Sequence, residues 1–162
     1  MPDYPHFGTD LDLGFVTDED GRISVMPYTH VDLRAVVRAG VTPRAIDLGV
    51  VKNKAALAQA LILRLMTERG ELEGLGHPEY GSRHHVLVGE PNTERNRNLV
   101  KLYILECLRQ EPRLERVVSL DVTRGVGREH RDKVDVRMVV KFKDKPDATI
   151  LVLPFSFRGP LE

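Results

Sequence analysis

Hydrophobic positions recur twice at helical spacing and then three times at strand spacing. Between Asn53 and Thr67, the residues Ala58, Leu61, Ile62, Leu65 and Met66 fall at i, i+3, i+4, i+7 and i+8, the rhythm of a helix with one buried face. Leu57 and Leu63 widen that stripe, so the helix is expected to be covered on more than one side. Asn53 is placed to cap its start and Gly70 its end. A second helix is predicted for Asn92 to Gln110, where Val100, Tyr103, Ile104, Cys107 and Leu108 repeat the same spacing. Pro91 suits its entry, Asn92 or Thr93 caps it, and Pro112 ends it.

The pattern then switches to alternation. Arg116 to Thr123 sets Val118, Leu120 and Val122 inward. Lys133 to Lys143 sets Val134, Val136, Met138, Val140 and Phe142 inward, with Asp135, Arg137 and Lys141 outward. The turn Lys143 to Asp147 leads to a last strand, Thr149 to Phe157, with Leu151, Leu153, Phe155 and Phe157 on one face. Pro154 cannot donate to a ladder, which predicts an edge or a bulge there. Between the helices, Gly70 to Gly89 reads as loop, with a helical turn at Arg83 to Val88 facing Val86 and Leu87 inward.

Residues 1–50 are dense in turn signals. Alternation over Asp10 to Val16 and again in the stretch RISVMPY, across TDEDG, reads as a β-hairpin or two short strands. Val31 to Val37 reads as a short strand or a helical turn. The expected fold class is α+β: two main helices packed on a small antiparallel C-terminal sheet of about three strands. Residues 1–50 form an arm on the body or a neighbour, and 51–162 form the main domain.

Composition narrows the function. Of 162 residues, 41% are hydrophobic and 30% charged, which suits a globular domain. Lys plus Arg equals Asp plus Glu at 24 each, so no global field points to nucleic acid or an anionic membrane. The apolar run from Ala55 to Met66 is interrupted by Gln59 and Arg64 and is too short to span a bilayer. The first residues lack a basic region followed by an apolar run, so no signal peptide is expected, and a cytosolic origin is. The lone Cys107 excludes an internal disulfide framework and lies on a buried stripe, as a structural thiol does.

No phosphate-cradling loop, nucleophile elbow or zinc-protease signature occurs; Arg124 to Arg128 holds a Gly-x-Gly between strands and reads as a turn. His77, His84 and His85 lie close together, but no carboxylate or cysteine completes a metal spacing, which favours a solvated loop with one capping or core bond. Several glutamates line the central stretch, Glu71, Glu79 and Glu90 among them. A glycosidase needs two carboxylates across a cleft, and no aromatic sugar platform accompanies these: Trp is absent and aromatics are 6%. Catalytic, cofactor-binding and metal residues are therefore expected to be none. Glu90, just before a proline at a helix start, suits either local capping or a contact with a partner.

In this order, the helix AALAQALILRLMTERGEL (Ala55 to Leu72), the loop HPEYGSRHHVLVGEP (His77 to Pro91), the helix ERNRNLVKLYILECLRQEPRL (Glu94 to Leu114) and the strands Glu115 to Phe157 resemble the baseplate wedge proteins of contractile phage tails. That family includes the sheath-initiating wedge protein of T-even phages and the related baseplate subunit of type VI secretion and extracellular injection systems. The resemblance runs over about two-thirds of the chain, from Asn53 onward. Where the family carries Glu-Pro-Arg, this chain has Glu90-Pro91-Asn92, so the basic third position is lost, and Arg95 or Arg97 is the nearest replacement.

The resemblance implies a structural subunit that joins the wedge core to the sheath. The sheath's terminal arms would add strands to the C-terminal sheet. The implied partners are other wedge subunits, the sheath protein and the inner tube or hub, with several copies in a ring and no nucleic acid or membrane insertion. The implied location is the bacterial cytoplasm during assembly and then the particle. The implied contact residues are Glu90, Pro91, Asn92 and Arg95 at the joint, and Leu151, Leu153 and Phe155 on the last strand. Two alternatives stand beside this reading: a lysozyme-like peptidoglycan hydrolase, a label some family members carry, and a stand-alone protein-binding adaptor.

Overall fold

The structure, a computed structural model, describes residues 8–14, 16–17, 23–24, 33, 35–37, 46–125, 132–143 and 148–157. In chain order these contain β1 (Thr9–Leu11), β2 (Val16–Thr17), β3 (Ile23–Ser24), β4 (Ala35–Val37), β5 (Ile46–Leu48), β6 (Val50–Lys52), α1 (Asn53–Met66), α2 (Glu94–Leu108), β7 (Leu114–Arg124), β8 (Lys133–Phe142) and β9 (Ala148–Ser156). The class is α+β, with both helices and the C-terminal strands where the periodicity places them.

In α1, Leu57, Ala58, Leu61, Ile62 and Leu65 are fully buried, and Met66 packs against the cluster they form with α2 and the sheet. The ends of α1 differ from expectation. Lys52, extended at φ −132° and ψ 160°, precedes the helix with no side-chain capping bond, and Asn53 takes the first helical place at φ 58°. Asparagine tolerates that left-handed conformation better than most residues because its short polar side chain bonds locally. The helix stops before Gly70, since Thr67 turns extended while its N–H and hydroxyl both bond Leu63 O. Gly70, at φ 94°, serves the turn beyond.

Gln59, on the buried stripe of α1, is itself buried. Its Oε1 accepts from Leu13 N–H at 3.1 Å, and its Nε2 donates to Leu11 O at 2.7 Å and to Asp10 Oδ2 at 3.3 Å. A buried amide is stable only when its donors and acceptors are satisfied, and here the arm satisfies them. Thus the residue that interrupts the apolar run ties β1 to the body. β1 also pairs antiparallel with β6, which leads directly into α1.

The main sheet has the order β2-β3-β9-β8-β7. Its C-terminal part is the antiparallel meander that the alternation predicts. All five inward residues of β8, from Val134 to Phe142, are buried, while Asp135 and Arg137 are exposed. In β7 the register shifts between Leu114 and Arg116 and again between Val117 and Ser119. Each extra residue moves the alternation by one position. Val118, expected inside, is therefore 53% exposed, and the inner face is carried by Leu114, Val117, Leu120 and Val122.

β9 is not an edge strand. The arm's β3 lies along it in parallel, Ile23 opposite Leu151 and Ser24 opposite Val152. The ladder shows why proline is tolerated there. Phe157 N–H donates to Asp132 O at 2.8 Å, and that phase makes the odd-numbered residues of β9 bond β8. Pro154, opposite Asp135, turns its nitrogen away from β8, and the described pairing with β3 ends before it, at Val152. Among the described residues the outer strands of this sheet are β2 and β7.

In the arm, β2 and β3 pair antiparallel across the predicted turn, and β4 pairs antiparallel with β5, settling Ala35–Val37 as strand. The expected inward turn near residue 86 forms as a 3-10 turn, His84–Leu87, that buries Leu87 and leaves Val86 59% exposed. A 3-10 turn repeats every three residues, so neighbouring side chains point to different sides.

Candidate functional site

Glu90, Pro91 and Asn92 form the entry to α2, held by backbone and side-chain bonds on both sides. Gly89, at φ 93°, donates its N–H to Phe157 O at 2.5 Å, fixing the segment to the residue that follows β9. Glu90 N–H donates to Leu87 O at 3.1 Å. Asn92 Nδ2 donates to Lys133 O at 3.3 Å, fixing the same segment to the first residue of β8. Thr93 is the helix cap: its Oγ1 accepts from Asn96 N–H at 3.2 Å, and Asn96 Nδ2 reaches back to Pro91 O at 2.8 Å. Glu94 in the first turn complements the positive end of the helix.

Arg97 completes the arrangement. Its Nη1 donates to Asn92 Oδ1 at 2.8 Å and to Asn92 O at 3.3 Å. Of the two arginines that could replace the lost basic position, Arg97 turns inward onto Asn92, and Arg95 is exposed. Glu90 and Pro91 are exposed although their backbone is tied down. A partner meeting them therefore loses little conformational entropy on their side. The link through Gly89 and Phe157 brings this segment to the end of β9. Leu151, Leu153 and Phe155 stand opposite Met138, Val136 and Val134 in the register, and their side chains lie outside the described part of the structure. The two groups of predicted contact residues thus sit on connected elements. The Asn92–Arg97 clamp was missed in the sequence, although a polar pair five residues apart across a helix cap was its available signal.

The histidines divide. His77 is exposed. His84 is buried, with Nδ1 at 2.7 Å from Ser82 Oγ and its ring centroid 4.2 Å from that of His85, whose Nε2 lies 3.0 Å from Leu65 O. Burial, with the neighbouring His85 adding to it, lowers the His84 pKa to about 3. This ring is a neutral, buried group bonded within the loop, and His85 is the one that reaches α1. Among the described residues no three His, Cys, Asp or Glu side chains gather as metal ligands.

The acids suspected of chemistry are spent on local structure or open to water. Glu71 accepts from Glu68 N–H at 3.0 Å, Glu79 pairs with Arg69, and both are exposed. Among the described residues the buried acid is Glu111, beyond α2. Its burial opposes the charge, but hydrogen bonds from Arg113, at 2.6 Å from Nε, and the Arg113 and Arg64 charges outweigh it and hold its pKa below the ordinary value. Cys107 is buried, and burial pushes its thiol up to about 11 against the partial relief of Arg64 and Arg69.

No protein-family model matches the chain, and no curated protein matches it either. Among solved structures, the crystal structure of a candidate tail lysozyme from Geobacter sulfurreducens is similar. The match has a TM-score of 0.55 and 21% sequence identity over 65% of this chain and 94% of that one. At this identity the match speaks to the fold: the chain shares the fold of that tail protein.

Proposed function

We propose that this chain is a non-enzymatic structural subunit of a contractile tail or injection machine, built into its baseplate. The observation that carries the reading is the exposed but pinned Glu90-Pro91 segment, bonded through Gly89 and Asn92 to the adjoining ends of β9 and β8. A contact at that segment and strand pairing on the sheet then belong to one connected unit. The fold shared with a tail protein supports the same reading. In this reading Glu90, Pro91 and Arg95 meet other wedge subunits, Asn92 holds them in place, and residues 1–50 act as an arm on the body or a neighbour. Several copies form a ring around the tube or hub, and the sheath protein adds a strand to the open side of the sheet. The protein is made in the cytoplasm and ends in the particle.

The test is complementation of a producing strain that lacks the gene, using Glu90→Lys combined with Pro91→Gly, with particles counted by electron microscopy. Sheathed particles are expected to fall sharply while the purified variant stays folded; normal counts would sink the proposal. Non-enzymatic status is checked by adding purified protein to peptidoglycan, where no clearing is expected. Clearing that disappears in one of Glu71→Gln, Glu79→Gln or Glu90→Gln, with folding intact, would establish a hydrolase instead.

A further inference from the structure

Glu111 fastens the short turn that leads from α2 into β7. Its buried carboxylate accepts from Arg113 N–H at 3.2 Å and from Arg113 Nε at 2.6 Å, with Arg64 Nη2 3.8 Å away, and Leu114 N–H donates to Glu111 O at 3.1 Å. Beside this turn lies an open groove of about 360 Å³, walled by Leu105 and Leu108 from α2 and by Leu114 and Val117 from β7. Its size is at the low end of the roughly 300–1,000 Å³ of ligand pockets, so one or two side chains fill it and a whole helix does not. Leu102, Leu105 and Arg109 follow at i, i+3 and i+7, so one outer stripe of α2 runs into the groove, and Leu102 on that stripe is 48% exposed.

The charges around the groove are unequal. Arg109 and Arg116 belong to its lining and are exposed. The two acids of the lining are already paired, Glu111 with Arg113 and Arg64, and Glu115 with Lys141 Nζ at 3.1 Å. Among the described residues no acid pairs with Arg109 or Arg116. The register shift between Leu114 and Arg116 sets Arg116 opposite Lys141, a like charge. From this we infer that the groove receives an acidic segment of another protein chain, which buries one leucine or phenylalanine between α2 and β7 and sets its carboxylates on Arg109 and Arg116. The apolar side chain loses water against four apolar walls, and a guanidinium holds a carboxylate through two parallel bonds. A basic segment of the same shape would meet two cations with no acid to offset them. Because Glu111 has already fastened the turn, the groove gives up little freedom on binding. This deepens the structural-subunit reading and rests on its claim that the chain works by binding another protein; it names a second surface, at the opposite end of α2 from Glu90 and Pro91, and the chemistry of what that surface takes.

The probe is a short synthetic peptide with one leucine and one phenylalanine set among aspartates and glutamates. One control replaces its acids by lysine, and the other replaces its two apolar residues by serine. Binding to the full chain is read by fluorescence anisotropy and mapped by NMR chemical shifts. The acidic apolar peptide is expected to shift Leu105, Leu114 and Val117 and to bind about tenfold tighter than either control. Arg116→Glu should weaken it about fivefold with the urea midpoint unchanged, an effect that fades in high salt. Leu105→Ala should weaken it roughly tenfold, and the shifts on the unaltered chain locate the peptide even if that variant is loosened. Equal binding of the three peptides, shifts elsewhere on the chain, or indifference to Arg116→Glu would each overturn the inference. So would a dimer in sedimentation that Leu105→Ala dissociates, since a second copy would then fill the groove. Octanoate shifting the same residues as strongly as the peptide would also overturn it, as the mark of a fatty-acid site. Peptide binding together with normal particles from the Glu90 and Pro91 variant would keep the groove and sink the tail reading. Defective particles with no peptide binding would do the reverse.

Discussion

Acid should weaken this fold through His84, beginning as the pH falls below the ordinary histidine value. The His84 ring is buried beside Ser82 and His85, and its pKa is lowered from 6.5 to about 3. Above pH 6.5 both folded and unfolded states hold it neutral, and it adds no pH dependence. As pH falls from 6.5 toward 3, the unfolded chain takes up a proton that the folded chain refuses, so stability drops. The loss from this one group is on the order of 1 kcal/mol at pH 5.5 and 3 kcal/mol at pH 4.5, a large share of the roughly 5–15 kcal/mol that holds an ordinary domain together. The window closes near pH 4.5, below which Glu111, whose pKa is lowered on folding, also begins to lose its stabilising charge. The assay is urea unfolding followed by far-UV circular dichroism at pH 7.5, 6.5, 5.5 and 4.5. The comparison is His84→Gln, which keeps a polar partner for Ser82 Oγ and cannot titrate, so the difference in slope isolates this ring from the other histidines. Parallel pH profiles for the two proteins would refute the reasoning.

Two further outcomes follow from close packing. Gly81 sits at φ +99°, and a Cβ there would meet Thr67 O at 2.7 Å and Glu68 O at 2.8 Å, so Gly81→Ala should cost more than about 2 kcal/mol in urea unfolding, whereas Gly74→Ala, which meets nothing within 4 Å, should cost little. Cys107, buried and with its pKa pushed up to about 11, should react with a thiol reagent at pH 8 at least about a hundredfold more slowly in the native protein than in urea; equal rates would show the thiol to be open.

The run of apolar residues decided the helices by itself. Ala58, Leu61, Ile62 and Leu65 in α1, and Val100, Ile104, Cys107 and Leu108 in α2, are buried where a period of 3.6 puts them. The five alternate residues of β8 were equally legible, because a central strand with one buried face leaves no other register open. Bonds between distant segments were not legible. The two shifts in β7 send Val118 outward, and nothing in a local alternation marks where an extra residue will be accommodated. Pro154 predicted an edge or a bulge, but a missing donor cannot say whether another strand pairs elsewhere along β9, and the arm's β3 does, at Leu151 and Val152.

Gln59 looked like a break in a stripe and is the amide that ties the arm to the body. Asn92 looked like a lost charge and is the residue Arg97 grips. In each case sequence spacing set the element and the face, because periodicity is a property of the local backbone. The tertiary structure decided the edge, the bond from Asn92 to Lys133 and the partners of Gln59, because those are contacts between residues many positions apart.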